Sequence, residues 1–314
     1  MERWPLISAV TPSFNQARFL ERCIRSVHDQ RYPSFEHIVY DNCSTDGTLG
    51  VLRRYPHLQW FREPDRGQSH ALNKALRRAR GEIIAWINAD DAYERGAFAV
   101  AARELRASTG TRAIAGRVHF VAADGRILRT VVPNVATLDQ MVEFWTRGFC
   151  LEQCGVLFRR EVLDEIGLLD EGLHYAMDYE FLLRLVARHP LKLVPDVIAR
   201  FTLQPDSKTG RLRHSAAFVE ERRRVSAPYW GPRGSSVRRG RQRACRLHLA
   251  GHFANAVLHA HRDRDALDWG ALRRMVWHRP AWLFNRHVLG VLAERSLGPR
   301  IAGAMRRIGV GRRP

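Results

Sequence analysis

Four polar clusters in the first two-thirds of this 314-residue chain hold the side chains from which chemistry could be built. Asn88-Ala89-Asp90-Asp91 delivers two adjacent carboxylates directly after an apolar run, Ile83 to Ile87. Such a pair repels itself and wants a cation. A hard divalent ion, Mg²⁺ or Mn²⁺, is commonly held by one or two carboxylates together with phosphate oxygens of a substrate. Asp41, Ser44 and Asp46 form a second cluster, and Glu63-Pro64-Asp65-Arg66-Gly67-Gln68-Ser69 a third. Asp170, Glu171, Asp178 and Glu180 gather the fourth. Each has a plainer reading beside the chemical one. The first three are also what turns and helix caps look like, with Asn73 and Lys74 on an exposed helix side. Asp178 also suits a helix N-terminus, where a carboxylate meets the positive end of the dipole.

The elements that must position these clusters alternate short apolar runs with helical patterns, the signature of β-α-β units and a largely parallel sheet. Leu6 to Thr11 reads as a buried strand, and Phe19, Leu20, Cys23, Ile24 and Val27 recur at helical spacing after it. Phe35 to Tyr40, Leu58 to Phe61 and Ile83 to Ile87 read as further strands, with helices after Thr48 and Gln68. Residues 113–132 suggest two strands joined at Asp124-Gly125. Residues 153–200 suggest a strand, a helix from Asp178 to Arg188 and a strand near Leu191 to Ile198. Several clusters therefore fall at strand C-termini, outside which ligands bind in open α/β sheets.

Taken together and in order, the motifs resemble the family-2 glycosyltransferases. The resemblance rests on Val10-Thr11-Pro12-Ser13-Phe14-Asn15, Gln30-Arg31-Tyr32-Pro33, the run Ile38 to Thr48, Glu63 to Gly67, Gly81 to Ile84 and Asn88 to Asp91. Further on it includes Gly167 to Glu171 and His174 to Leu185, so that it spans residues 5–210. It implies the GT-A fold, a Rossmann-like, mostly parallel sheet flanked by helices. It also implies transfer of a sugar from a nucleoside diphosphate donor, with a UDP-sugar favoured, to an acceptor hydroxyl with inversion. By resemblance, Thr11, Pro12 and Asn15 line the base and ribose and Asp41 bonds the base. Asp65, Gly67 and Asn73 border the donor sugar and diphosphate. Asp90 and Asp91 match the metal and ribose motif, with Asp91 the direct ligand of Mn²⁺ or Mg²⁺, and Asp178 is the general base with Glu180 as its rival. The chain departs from the family where Thr202 and Gln204 replace a usual Arg and His, and where Cys43 replaces a usual Gly. Ser207 and Lys208 match.

Charge divides the chain. Lys and Arg outnumber Asp and Glu by 28 to 26 over residues 1–210 but by 23 to 6 over residues 211–314. We expect a catalytic domain over 1–210 and an Arg-rich, mainly helical extension over 211–314. Arginines 222–224, 238, 239, 241 and 243 alternate there with Trp230, Trp269, Trp277 and Trp282. That composition suits peripheral contact with an anionic membrane. The resemblance also implies a saccharide or lipid-linked acceptor, in envelope polysaccharide, glycolipid or glycoconjugate synthesis, and with it such placement. No run of about 18 apolar residues occurs. The amino terminus lacks a signal-peptide pattern, which leads us to expect a cytoplasmic protein, on the inner membrane face if peripheral. Two other readings stay open: a nucleic-acid-binding or membrane-surface protein with a degenerate transferase domain, for which a nucleic-acid partner is the weaker expectation, and a nucleotidyltransferase. The five scattered cysteines are expected to be reduced thiols.

Overall fold

The computed structural model describes residues 4–146, 148–204, 216–262, 269–284 and 288. Ser207 and Lys208 lie outside them, as do the side chain of Trp269 and nearly all of the chain after residue 284. The chain forms two compact units, Met1–Ser207 and Lys208–Pro314.

The first unit is built on β1 (Ile7–Ser13) and β2 (Phe35–Asp41). Every residue of β1 is buried, as expected of parallel strands covered on both faces. Around them a 9-stranded sheet runs in the order β3-β2-β1-β4-β8-β6-β9-β5, with β7 beside β6. Here β3 is Leu58–Arg62, β4 Ile83–Trp86, β5 Ala92–Tyr93, β6 Ala113–Val121, β7 Ile127–Val131, β8 Val156–Arg159 and β9 Lys192–Thr202. The β3-β2-β1-β4 half is parallel; β8 then runs antiparallel to both β4 and β6.

The helices of this unit are α1 (Ala17–His28), α2 (Thr48–Arg53), α3 (Gln68–Arg78), α4 (Ala97–Arg106), α5 (Leu138–Val142), α6 (Val162–Ile166) and α7 (Met177–Arg188). Helix α1 buries Phe19, Leu20, Cys23, Ile24 and Val27, the stripe its sequence spacing predicts. One core packs Ile7, Ala9, Cys23, Val27 and Ile83 with Phe98 and Ile198, so that α1, α4 and the sheet share a layer.

Strand β9 runs four residues beyond the end expected near Ile198. It pairs in parallel with β6 and antiparallel with the two-residue β5. That extension carries Thr202 to the segment after β4. A close approach supports it: a Cβ on Gly116 would press on Ile198 and sit 2.8 Å from the carbonyl oxygen of Asp196.

The second unit contains α8 (Ala216–Ser226), α9 (Ser236–Arg262) and α10 (Trp269–His278), with a 3₁₀ turn at Ala227–Tyr229 between the first two. They bury Cys245, Leu249, Phe253, Leu272 and Met275. Trp230, expected among surface aromatics, is only 3% exposed and belongs to this core, whereas Trp277 is 81% exposed. All five cysteines are free. Among the described residues no helix is long and apolar enough to cross a membrane.

Gly116→Ala should lower stability by about 1–3 kcal/mol through overpacking between β6 and β9. A denaturant melt that leaves the midpoint unchanged would show that the two strands are not held this close.

Candidate active site

Strand order reverses at β1, whose neighbours are β2 on one side and β4 on the other. The carboxyl ends of these three strands deliver Ser13, Asp41 and, one turn past β4, Asp90 and Asp91. Ser13 and Asp41 stand opposite each other in the ladder, and Ile87 N–H extends the pairing of β4 by donating to Val10 O at 3.0 Å.

Asp41 is buried and organises the loop that follows it. Its carboxylate accepts from Ser44 N–H at 2.9 Å and from Ser44 Oγ at 2.5 Å, while Arg62 Nε stands 3.8 Å away. Ser44 Oγ in turn accepts from Asn15 N–H at 2.8 Å, and Asn15 Oδ1 accepts from Thr45 N–H at 2.9 Å. Asn15 and Cys43 both adopt positive φ, 51° and 50°. Asn tolerates that conformation and Cys does so at a cost, which explains why Gly is the usual residue at position 43. The side chain of Thr11 does not reach this loop. It is fully buried, with its Oγ1 3.0 Å from His37 Nε2 and 3.9 Å from Cys23 Sγ. Burial pushes the His37 imidazole down to about 3, so this ring is neutral. Pro12 is likewise buried within β1. Any contact of Thr11 with a ligand must therefore use its main chain.

The third cluster closes from below. Asp65 N–H donates to Asn42 Oδ1 and Asp65 Oδ1 accepts from Gly67 N–H, at 2.9 and 2.8 Å. Gly67, at φ 129°, turns the chain into α3. From the first turn of α3, Gln68 Nε2 donates to Asn88 Oδ1 at 2.9 Å and ties this cluster to the acidic pair.

Asn73 departs from the local reading as an exposed helix residue. It is 2% exposed and spans the gap to the segment before α7. Its Nδ2 donates to Leu169 O and Glu171 Oε1, and its Oδ1 accepts from Leu169 N–H. Its polar atoms are thus committed to holding a loop. Glu171 is shared with Arg66 at 2.6 Å.

Asp90 and Asp91 occupy the turn between β4 and β5, fixed by Asp91 N–H donating to Asn88 O at 3.1 Å. Asp91 is 1% exposed and accepts from Thr202 N–H at 2.9 Å. Asp90 accepts from Gln204 Nε2 at 2.9 Å. Desolvation raises the pKa of both, that of Asp91 well above the carboxylate range because the charge of Asp90 adds to it. The nearby cation is Arg22 of α1. Its Nη2 donates to Asp90 O at 3.0 Å and to Thr202 Oγ1 at 2.6 Å, and Thr202 Oγ1 itself donates to Asp90 O at 2.5 Å.

Arg22 escaped the sequence reading. The signal for it was the departure at Thr202: where the family's usual guanidinium is missing, another basic residue must face the pair. Arg22 sits on the flank of the apolar stripe of α1 and does so.

Among the described residues no group of three or more His, Cys, Asp or Glu side chains could enclose a metal ion. A hard cation that keeps phosphate and water ligands needs only one or two carboxylates. The buried Asp91 and the half-buried Asp90 beside it meet that requirement.

At the head of α7, Asp178 accepts from Tyr179 N–H at 2.6 Å, which is its one hydrogen bond among the described residues. Glu180 is held in two places by Arg184, at 2.7 and 2.9 Å, and Arg184 also bonds the carbonyls of Ile166 and Leu168. Asp170 accepts from Gly172 N–H within its own turn. Ser69 Oγ lies 2.9 Å from Met177 Sδ and so joins the start of α7 to the start of α3.

A curled α/β sheet of this order, with acidic residues at the carboxyl edge of its parallel half, is the GT-A fold. Two solved structures share it. Residues 1–349 of TarS from S. aureus in complex with UDP-GlcNAc align with a TM-score of 0.61 at 18% identity, covering 96% of this chain and 92% of that one. The mannosyltransferase PcManGT from Pyrobaculum calidifontis, in complex with GDP-Man and Mn²⁺, aligns with a TM-score of 0.57 at 22% identity, covering 99% and 89%. Residues 8–167, just over half of the chain, match the sequence pattern of glycosyl transferase family 2, and the chain belongs to that family. A Bacillus subtilis protein assigned to teichuronic acid biosynthesis as glycosyltransferase TuaG is 39% identical over 101 residues, 30% of this chain and 40% of that relative.

The raised pKa of Asp91 sets a pH dependence with a definite sign. Its folded-state value lies above the unfolded one, so its contribution to stability is fully present below about pH 4 and is lost as pH rises toward the folded pKa. In metal-free buffer Asp91→Asn should therefore match the wild type at pH 4. Above that it should become progressively more stable than the wild type, by up to about 1.4 kcal/mol per pH unit. Parallel stability curves for the two proteins would contradict the assignment.

Proposed function

We propose that this protein is an inverting glycosyltransferase that moves a sugar from a nucleoside-diphosphate sugar, a UDP-sugar in the first instance, to an acceptor hydroxyl. The observation that carries this reading is the buried carboxylate of Asp91 beside the half-buried Asp90 at the carboxyl edge of the parallel strands. Mn²⁺ or Mg²⁺ held by this pair, with Asp91 the direct ligand, would neutralise charge growing on the leaving diphosphate. Arg22 holds the main chain of the pair in place, and Gln204 orients one Asp90 oxygen. Asp41 and Asn15, braced through Ser44, form the base and ribose side, with main-chain groups of Thr11 and Pro12 beneath. Asp65 and Gly67 border the donor sugar. Asn73 acts there through the Leu169–Glu171 loop that it fixes.

Asp178 is the general base. An acceptor hydroxyl is a poor nucleophile, and a carboxylate within hydrogen-bond reach takes its proton as the new bond to the anomeric carbon forms and the bond to diphosphate breaks. Its neighbours support the choice: Arg184 occupies Glu180, and Arg66 with Asn73 occupies Glu171. One displacement, with one base, inverts the anomeric carbon.

The catalytic domain takes in residues 1–210 in this reading, and the basic extension 211–314 meets anionic lipid at the cytoplasmic face of the membrane. The likeness to a relative assigned to teichuronic acid synthesis supports a cell-envelope saccharide or lipid-linked acceptor.

Calorimetry with UDP, GDP, CDP and dTDP, with and without Mn²⁺, tests the donor side; one nucleotide should bind in a metal-dependent way that Asp91→Ala removes. Asp178→Asn should retain that binding and lose about 10²–10⁴ in turnover. Metal-independent binding of all four nucleotides, or full turnover by Asp178→Asn, would defeat the respective role.

A further inference from the structure

The second unit contains a cavity of its own, about 570 Å³ in volume, within the range typical of small-molecule sites. Its walls follow helical periodicity. Helix α9 supplies Arg238, Gln242 and Arg246, spaced four apart and therefore along one stripe. Helix α10 supplies Arg274, Trp277 and His278, at spacings of three and four. Four guanidinium groups line this space, those of Arg223, Arg238, Arg246 and Arg274, against the single carboxylate of Glu220.

That carboxylate is already engaged. Arg223 grips both oxygens of Glu220, at 2.9 Å from Nε and 2.5 Å from Nη2. Arg238 is fixed by neutral partners, the carbonyls of Ala227 and Gly231 at 3.0 and 3.1 Å, which orient the guanidinium without cancelling its charge. Arg274 lies over the ring of Phe253, 5.1 Å from its centroid, again oriented and again still positive. Arg246 is exposed on the same stripe as Arg238. Three cations thus converge on one cavity whose described lining offers them no free carboxylate. Their mutual repulsion is relieved by an anion that several guanidinium forks can grasp together. Beside them the indole of Trp277 presents a rigid apolar face to solvent.

We propose that this cavity binds a phosphate ester, with Arg238, Arg246 and Arg274 on the phosphate oxygens and Trp277 against the organic group that the phosphate carries. A tetrahedral phosphate offers enough oxygens for three separate guanidinium groups, whereas a lone carboxylate offers two. Three terminal oxygens are found on a phosphate monoester, presented alike by the headgroup of phosphatidic acid and by a soluble phosphorylated compound. The inference goes beyond the transfer reaction, since none of these residues belongs to the first unit, and it stands or falls separately from it.

The test uses the full chain in EDTA, so that a metal-dependent nucleotide site does not contribute. Glycerol 3-phosphate is titrated by calorimetry, and binding to phosphatidylcholine vesicles is compared with and without phosphatidic acid. Both are measured on the wild type and on the double variant R246Q/R274Q, which alters two exposed side chains, with W277F as the reporter for tryptophan emission. Saturable glycerol 3-phosphate binding, weakened about tenfold or more in the double variant and accompanied by an emission change that W277F abolishes, supports a soluble ester. The same dependence seen with phosphatidic acid vesicles alone supports a lipid headgroup. If the double variant melts below the wild type, R246Q and R274Q are compared singly, and the requirement is a weakening by each. Binding that is indifferent to these arginines, no response to either probe, or tight binding of single-stranded RNA without a phosphate-ester response would overturn the proposal.

Discussion

A pair of neighbouring carboxylates, the buried Asp91 and the half-buried Asp90, is held in a single turn between β4 and β5, and the surrounding elements fix that turn. Burying charge is expensive, by several kcal/mol per ion even after relaxation, unless partners are supplied. The protein supplies only part of what is needed: a main-chain N–H from Thr202, an amide from Gln204 and, through the main chain, the guanidinium of Arg22. The remainder appears as raised pKa values. In the function proposed, a divalent ion together with its diphosphate would relieve that cost.

The sheet topology follows from this constraint. The parallel half ends its strands on one edge, so that Asp41 and the acidic turn face a common crevice. Strand β5, although only two residues long, ties the far side of the turn to β9. Strand β9 in turn must reach Thr202, which it does through its parallel register with β6, bent by shifts around Arg117 and eased by Gly116. Helix α3 closes the arrangement by linking Asn88, through Gln68, to the start of α7, through Ser69. The acidic turn and the head of α7 are therefore connected by a short path through α3.

Much of this was legible in the residues. The apolar runs that became β1, β2 and β4 are local; β1 and β2 end on Ser13 and Asp41, and Asn88 follows β4 after Ile87. What stayed hidden depends on contacts across long stretches of sequence. Thr202 meets Asp91 because of strand pairing across more than a hundred residues, which periodicity does not encode. Asn73 looks like an ordinary polar helix residue until the Leu169–Glu171 loop covers it. Trp230 reads as a surface aromatic beside arginines, and becomes core only when α8, α9 and α10 pack together. Resemblance alone prefers Asp178 to Glu180 in the sequence; the bidentate grip of Arg184 on Glu180 is a physical difference between them that periodicity does not encode.

The account depends on the acidic pair being a cation site, and diffraction at the manganese absorption edge from crystals grown with UDP and Mn²⁺ addresses that most directly. We predict one anomalous peak at coordination distance from a carboxylate oxygen of Asp91, shared with the diphosphate, while Arg22 keeps its contacts with Asp90 and Thr202. UDP bound in the crevice with no manganese at Asp91, or manganese bound at another group, would contradict the account.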